Sequence, residues 1–160
     1  MELFKQAEKI GKNLKQSSKT VSVAETSAGG LISSSLLSVA GASSYFLGGG
    51  VLYTYESRHK MLSVDDSFFD GLRPSTEEYA IRLAHAIQNH LGSDYAISES
   101  GASGPSGNRY GDSPGHCCIA VSSKEDVKCI TIETGSNDRS ENMKVFAKSA
   151  LILFQEILQS

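Results

Sequence analysis

Thr20-Val-Ser-Val-Ala24 runs into Glu25-Thr26-Ser27-Ala28-Gly29-Gly30 and then into the apolar stretch Leu31 to Val39. The first segment alternates with a period of two and is rich in β-branched residues, so it reads as a strand. The second is a turn of small residues. In the third, Leu31, Ile32, Leu36, Leu37 and Val39 suit a helix. A strand, a tight turn and a helix are the opening unit of an α/β fold, and such a turn lies at the carboxyl end of a strand, where open α/β sheets place their ligands.

The same reading extends outward in both directions. Leu3, Phe4, Ala7, Ile10, Gly11 and Leu14, with lysines between them, predict an amphipathic helix over 2–16. Downstream, Gly41 to Ser44 breaks the second helix, and Gly48 to Tyr55 is glycine-rich and then β-prone. Glu56 to Met61 reads as a short helical turn and 65–74 as a loop. Ser75 or Thr76 caps a helix that has Glu77 and Glu78 in its first turn and is ended by Gly92. Tyr95 to Ser98 is a strand, and Gly101 to Gly107 with Asn108 to Pro114 a loop. His116 to Val121 and Val127 to Glu133 form a hairpin across a polar turn. Ser140 to Leu158 is a long amphipathic helix. Helices alternate with strands before the hairpin intervenes, so the fold class is α/β: a three-layer α/β/α domain with a mixed, mostly parallel sheet, spanning 1–160 as one unit.

Composition narrows the function. Apolar residues make up 39% and charged residues 21%, which fits a globular chain and argues against disorder. The net charge of −3 carries no basic stripe, so no nucleic-acid partner is expected. No apolar run approaches the ~20 residues of a membrane span, and the charged N-terminus has no signal-peptide core, so the expectation is a cytoplasmic protein without a membrane partner. Cys117, Cys118 and Cys129 are an odd set with two adjacent members, which reads as reduced core cysteines. The four histidines have no zinc-ligand spacing and the cysteines no C-x-x-C pair, so no metal is expected. Neither a G-x-G-x-x-G fingerprint nor a P-loop is present, and no cofactor is implied.

Four segments carry chemistry. Glu25 to Gly30 offers backbone amides at a helix start, and hydroxyls able to cap, to bind an anion or to attack a carbonyl. Ser100-Gly101-Ala102-Ser103-Gly104-Pro105-Ser106-Gly107 offers a chain of amides able to form an anion nest. Gly48 to Lys60 opens on Gly48, Gly49 and Gly50 and brings Tyr53, Tyr55, Arg58, His59 and Lys60 after a strand. Gly135 to Arg139 places Arg139 at the positive end of the last helix, which is unfavourable unless an anion is near.

These segments, in this order, resemble the C-terminal domain family of the competence/damage-inducible protein CinA. Val23 to Gly30 is similar to the family's A-E-S-C-T-G-G, and Val39 to Tyr53 to V-P-G-S-S-x-x-F-x-G-G-x-V-x-Y. Ser100 to Pro105 is similar to S/T-G-I-A-G-P, and Gly135 with Asp138-Arg139 to a G-D-R before the last helix. The resemblance implies a three-layer fold, a homodimer, and the chemistry of nicotinamide-mononucleotide amidases, in which a serine attacks and a lysine serves as its base. Those positions are Thr26 and, five residues after Tyr53, Arg58. A second basic position of the family falls on Met143. A guanidinium keeps its proton, so Arg58 cannot be a general base.

The catalytic candidates are therefore Thr26, Arg58 and Tyr53. The ligand-binding candidates are Glu25, Ser27, Ala28, Gly29, Gly30, Gly49, Tyr55, Ser100, Gly101, Ala102, Ser103, Gly104 and Arg139. The expected function is binding of a small nucleotide-like ligand with hydrolysis weakened or lost. An active amidase with a rewired nucleophile and base, and a partner-binding dimer, are the alternatives.

Overall fold

The structure is a computed structural model, and it describes residues 2–160. In chain order the elements are α1 (Glu2–Ser17), β1 (Val21–Glu25), α2 (Leu31–Leu37), a 3-10 turn at Ala42–Ser44, β2 (Phe46–Val51), α3 (Tyr55–Leu62), α4 (Glu77–Leu91), β3 (Tyr95–Ala102), β4 (His116–Ser122), β5 (Val127–Glu133) and α5 (Arg139–Gln159). The five strands form one sheet in the order β2-β1-β3-β4-β5. β1 pairs in parallel with β2 and β3, and β4 is antiparallel to both β3 and β5, so four strands run one way and β4 alone opposes them. This is the mixed α/β sheet the sequence predicts.

Helices cover both faces. α1 turns Ala7, Ile10, Gly11 and Leu14 inward, the spacing of one helical stripe. They pack with Ile32 and Leu36 of α2 and with Phe146, Leu151 and Phe154 of α5 against Val21, Val23, Ile97 and Ile119 of the sheet. Phe146 and Phe154 are fully buried, and each contributes about 1.5–3 kcal/mol by leaving water. On the opposite face α4 lays Tyr79, Leu83 and Ile87 over Ala24 and Ala96, with Leu52, Leu62 and Phe69 completing the cluster. β1 lies between the layers and is buried along its whole length.

The ends of the helices follow the sequence. Thr76 caps α4 by accepting from the Tyr79 amide at 3.3 Å. Asp138 caps α5 by accepting from Glu141 N at 3.1 Å. Two boundaries differ from expectation. The turn expected at Glu56–Met61 is a full two-turn helix, because Thr54 and Ser57 close a reciprocal capping box at its start. β3 does not stop at Ser98 but continues to Ala102, pairing Gly101 with Cys117 and Ala102 with His116. Gly101 can stay in the ladder because the partner strand lies so close: a Cβ there would sit 2.6 Å from the His116 carbonyl oxygen.

Cys117 and Cys118 are free and buried, and Cys129 is free and half-buried. As adjacent strand residues, Cys117 and Cys118 join the two opposite cores. Among the described residues no helix is long and apolar enough to cross a membrane.

Candidate functional site

The carboxyl ends of β1 and β3 lie side by side, and a cavity of about 620 Å³ opens beside them. Thr26, Ser100 and Gly101 line its floor. Tyr53, Tyr55 and Arg58 line one wall, and Asp66 with Phe69 to Ser75 a second. Asn108, Arg109 and Tyr110 form the third, with Tyr79 reaching in from α4.

The turn after β1 is held by two internal carboxylates. Glu25, fully buried, folds back over the start of α2 and accepts from Gly30 N (3.1 Å), Ile32 N (2.8 Å), Ser33 N (3.0 Å) and Ser33 Oγ (2.7 Å). Gly30, at φ 97°, is the N-cap and has no side chain, so Glu25 supplies the capping oxygens. Glu99, on β3 and fully buried, accepts from Thr26 N (3.0 Å), Ala28 N (2.8 Å) and the Ser27 hydroxyl. Burial pushes the Glu99 carboxyl above the usual range, against the pull of these three donors. The Thr26, Ala28, Gly30, Ile32 and Ser33 amides are therefore already satisfied from within. Glu25, Ser27, Ala28, Gly29 and Gly30 shape the turn and do not line the cavity.

Thr26 does line the cavity, and its hydroxyl donates to the Glu99 carbonyl at 3.0 Å. Arg58 lies beside the same space, with each of its three guanidinium nitrogens donating to an internal oxygen. Nε donates to Leu52 O (3.0 Å), Nη1 to the Tyr79 hydroxyl (2.5 Å) and Nη2 to Tyr53 O (2.9 Å). It makes no hydrogen bond to Thr26. Among the described residues no nitrogen base is hydrogen-bonded to the hydroxyl of Thr26 or Ser27, each of which instead donates to an oxygen of Glu99.

The remaining candidates divide between cavity and scaffold. Tyr53, Tyr55, Ser100 and Gly101 line the cavity. Gly49 lies in β2 against the Val23 carbonyl, away from it. Ala102 ends β3 opposite His116, and Ser103 and Gly104 anchor α5: Asn142 donates to Ser103 O at 2.9 Å, and Arg139 donates to Gly104 O at 2.5 Å and to the Tyr53 hydroxyl at 3.2 Å. Arg139 therefore needs no bound anion at the start of α5. A carbonyl and a phenol occupy it, and it steadies Tyr53 at the rim.

Sequence reasoning missed most of the second and third walls. Arg73 forms a forked pair with Asp112 (2.7 and 3.2 Å), which also accepts from Asn108 at 2.7 Å. The Arg73 guanidinium holds the Asp112 carboxyl below the usual range. The Tyr110 ring lies between Arg73 and Arg109, whose guanidinium carbons stand 5.2 and 5.1 Å from its centroid. The cavity thus presents aromatic faces throughout, carboxylates at Asp66 and Asp70, and cations at Arg73 and Arg109.

The cavity of this α/β domain sits at the carboxyl ends of two adjacent parallel strands, the position where open α/β sheets commonly place their ligands. The CinA C-terminal domain profile matches residues 3–158, and the chain belongs to that family. A CinA-like protein of Chlorobium limicola is 33% identical over 149 residues, which is 90% of this chain and 34% of that protein. One of Desulforapulum autotrophicum is 34% identical over 146 residues, again 90% of this chain and 34% of that protein. The chain thus spans about a third of the length of these relatives. Among solved structures, the competence/damage inducible protein CihA from Agrobacterium tumefaciens superposes with a TM-score of 0.90 at 24% identity, covering 100% of this chain and 97% of that one. A competence or damage-inducible protein from Enterobacter asburiae superposes with a TM-score of 0.90 at 20% identity, covering 98% of each chain. At these identities the superpositions establish the shared fold.

Proposed function

We propose that the domain binds a small nucleotide-like ligand of the nicotinamide-mononucleotide kind in the cavity above β1 and β3, and that it hydrolyses the amide slowly or not at all. The observation that carries the proposal is the state of the two dyad positions. Arg58 donates from each of its three guanidinium nitrogens to Leu52, Tyr79 or Tyr53, and the Thr26 hydroxyl is turned to a backbone carbonyl. A serine–lysine amidase needs a nucleophile whose proton has somewhere to go, and a guanidinium has no lone pair to receive it. Binding is supported by the lining. A pyridinium ring is cationic and flat, which suits the faces of Tyr53, Tyr55 and Phe69 and the carboxylates Asp66 and Asp70. A phosphate at its other end suits Arg73 and Arg109. The volume is in the range of ligand pockets, roughly 300–1,000 Å³.

One observation favours retained hydrolysis: the Ser27 hydroxyl donates to Glu99, a carboxyl raised by burial. That pair faces the interior, since Glu99 is fully buried and Ser27 does not line the cavity. The test is to incubate the protein with nicotinamide mononucleotide while following ammonia release and thermal stability together. A rise in melting temperature without ammonia is expected. Ammonia release that disappears in Thr26→Ala overturns the loss of hydrolysis. No thermal shift at millimolar ligand overturns the binding.

A further inference from the structure

His116 opens β4 behind the cavity wall, and nothing in its sequence context marks it. Its ring is almost wholly buried and lies where three segments meet. Nδ1 faces the Glu133 carboxylate of β5 within hydrogen-bonding distance, and Nε2 lies 2.8 Å from the carbonyl oxygen of Ser75. Asp112 Oδ1 stands 3.8 Å from Nε2. A carboxylate and a carbonyl only accept hydrogen bonds, so both ring nitrogens must donate, and an imidazole that donates from both is an imidazolium.

Of the two partners on the Nε2 side, Ser75 lines the cavity and Asp112 braces residues that do. Ser75 lines the cavity and sits at φ 62°, a left-handed conformation unfavourable for a residue with a Cβ. It is pinned from two directions: its amide donates to the Ser100 hydroxyl at 3.0 Å, and its carbonyl accepts from His116. Asp112 holds Arg73 of one wall and Asn108 of the other. We propose that His116 is a proton-operated latch: as an imidazolium it holds the 73–75 and 108–112 walls in place, and on losing its proton it releases them.

The sense follows from which proton leaves. Glu133 is a stronger acceptor than a neutral carbonyl, so the single remaining proton stays on Nδ1. Nε2 then presents a lone pair to the Ser75 carbonyl and the Asp112 carboxylate, and attraction becomes repulsion. The other charged or titratable groups near the ring are Arg73, beyond Asp112, and the Cys118 thiol, 3.8 Å from Nε2. Glu77 of α4 lies one step further out, accepting from Thr131. Burial works against the charge on His116, but the bonds to Glu133 and Ser75 and the field of Asp112 outweigh it and raise its pKa. A raised histidine contributes stability that is complete below its unfolded value and is lost as pH climbs through the folded value. The latch is therefore shut at and below the ordinary histidine value and opens as pH rises through the raised one.

The test needs no ligand, so its failure is separate from failure of the binding proposal. Long-range ¹H–¹⁵N spectra of the ligand-free protein, followed from about pH 5.5 to 9, report the protonation of each ring nitrogen of His116. The expected result is two protonated nitrogens at pH 6.5, a midpoint above the ordinary histidine value, and amide signals of Arg73, Ser75 and Tyr110 moving with that midpoint. Hydrogen exchange over 71–76 should rise about threefold or more across it. Glu133→Gln, at an exposed side chain that the fold can lose, should move the midpoint down, and His116→Gln should abolish the response of the Ser75 amide. A neutral ring with one bare nitrogen at pH 6.5, or a Ser75 amide indifferent to the His116 midpoint, overturns the latch. Should His116→Gln fail to fold, Glu133→Gln decides alone: an unmoved midpoint refutes it.

Discussion

Replacing Arg58 by methionine tests whether this side chain is a structural clamp. The two side chains are similar in length, so little packing is lost, but three acceptors lose their donor. Tyr53 is 55% exposed and its carbonyl can turn to water. Leu52 and Tyr79 are each 1% exposed, so their oxygens cannot. A stranded buried polar group costs about 1–3 kcal/mol, which gives about 2–6 kcal/mol for two. Removing a buried charge returns part of that, because the cation no longer has to be desolvated. The expected net loss is about 2–4 kcal/mol, a fall of about 5–15 °C in melting temperature for a chain of this size. Equilibrium urea unfolding is the assay, with the denaturant slope compared between the two proteins so that only the midpoint is interpreted. Arg58→Lys, which restores charge without the fork, should lie between wild type and Arg58→Met. A loss below about 0.5 kcal/mol for Arg58→Met would refute the clamp, since it is the size expected of an ordinary surface change.

Glu99→Gln should fold and lie within about 1 kcal/mol of wild type at neutral pH, because an amide can still accept from the Thr26 and Ala28 amides; Glu99→Ala, which strands them, should lose about 3 kcal/mol or more. Because the Glu99 pKa is raised, it contributes stability below the ordinary carboxylate value that is lost as pH rises toward its folded value. Urea midpoints at several pH values should show that decline in wild type and a flatter profile in Glu99→Gln, and equal slopes would contradict it. Gly101→Ala forces a methyl group against the His116 backbone and should cost about 1–3 kcal/mol or more in the same assay. Burial pushes the thiols of Cys117 and Cys118 up and that of Cys129 to about 12. An aromatic disulfide reagent at neutral pH should therefore label none of them quickly in the native protein and all three in urea; rapid native labelling would show that the hairpin opens.

The parts of this fold that were legible in the sequence are those whose physics is local. The alternation at 20–24, the stripe from Ala7 to Leu14, Thr76 before Glu77 and Glu78, and Gly92 after α4 each declare an element through spacing or capping alone. Thr26, Ser100 and Gly101, singled out because small residues at strand ends let a ligand approach the backbone, do line the cavity. What escaped depends on contacts distant in sequence. Arg73, Arg109 and Tyr110 come from segments with no periodicity, and they become a wall only when Asp112 fixes one loop to the other. Glu99 sits in a strand where an isolated acid gives no hint that the turn 73 residues earlier supplies its donors. Gly101 read as loop because its neighbours are glycine and serine, whereas the sheet recruits it for lacking a side chain.

The placement of α1 has a consequence for how the molecule is made. Its inward stripe, with Ile10 and Leu14, is covered largely by α5, which is made after every other element of the domain, and β1 lies inside the sheet between β2 and β3, both synthesised after it. During synthesis α1 therefore stays uncovered until nearly the whole of this domain has emerged. Such non-local closure slows folding and favours an all-or-none transition over stepwise growth from the N-terminus. Chains truncated before Phe154 should accordingly meet chaperones as sticky, open species rather than as smaller folded ones.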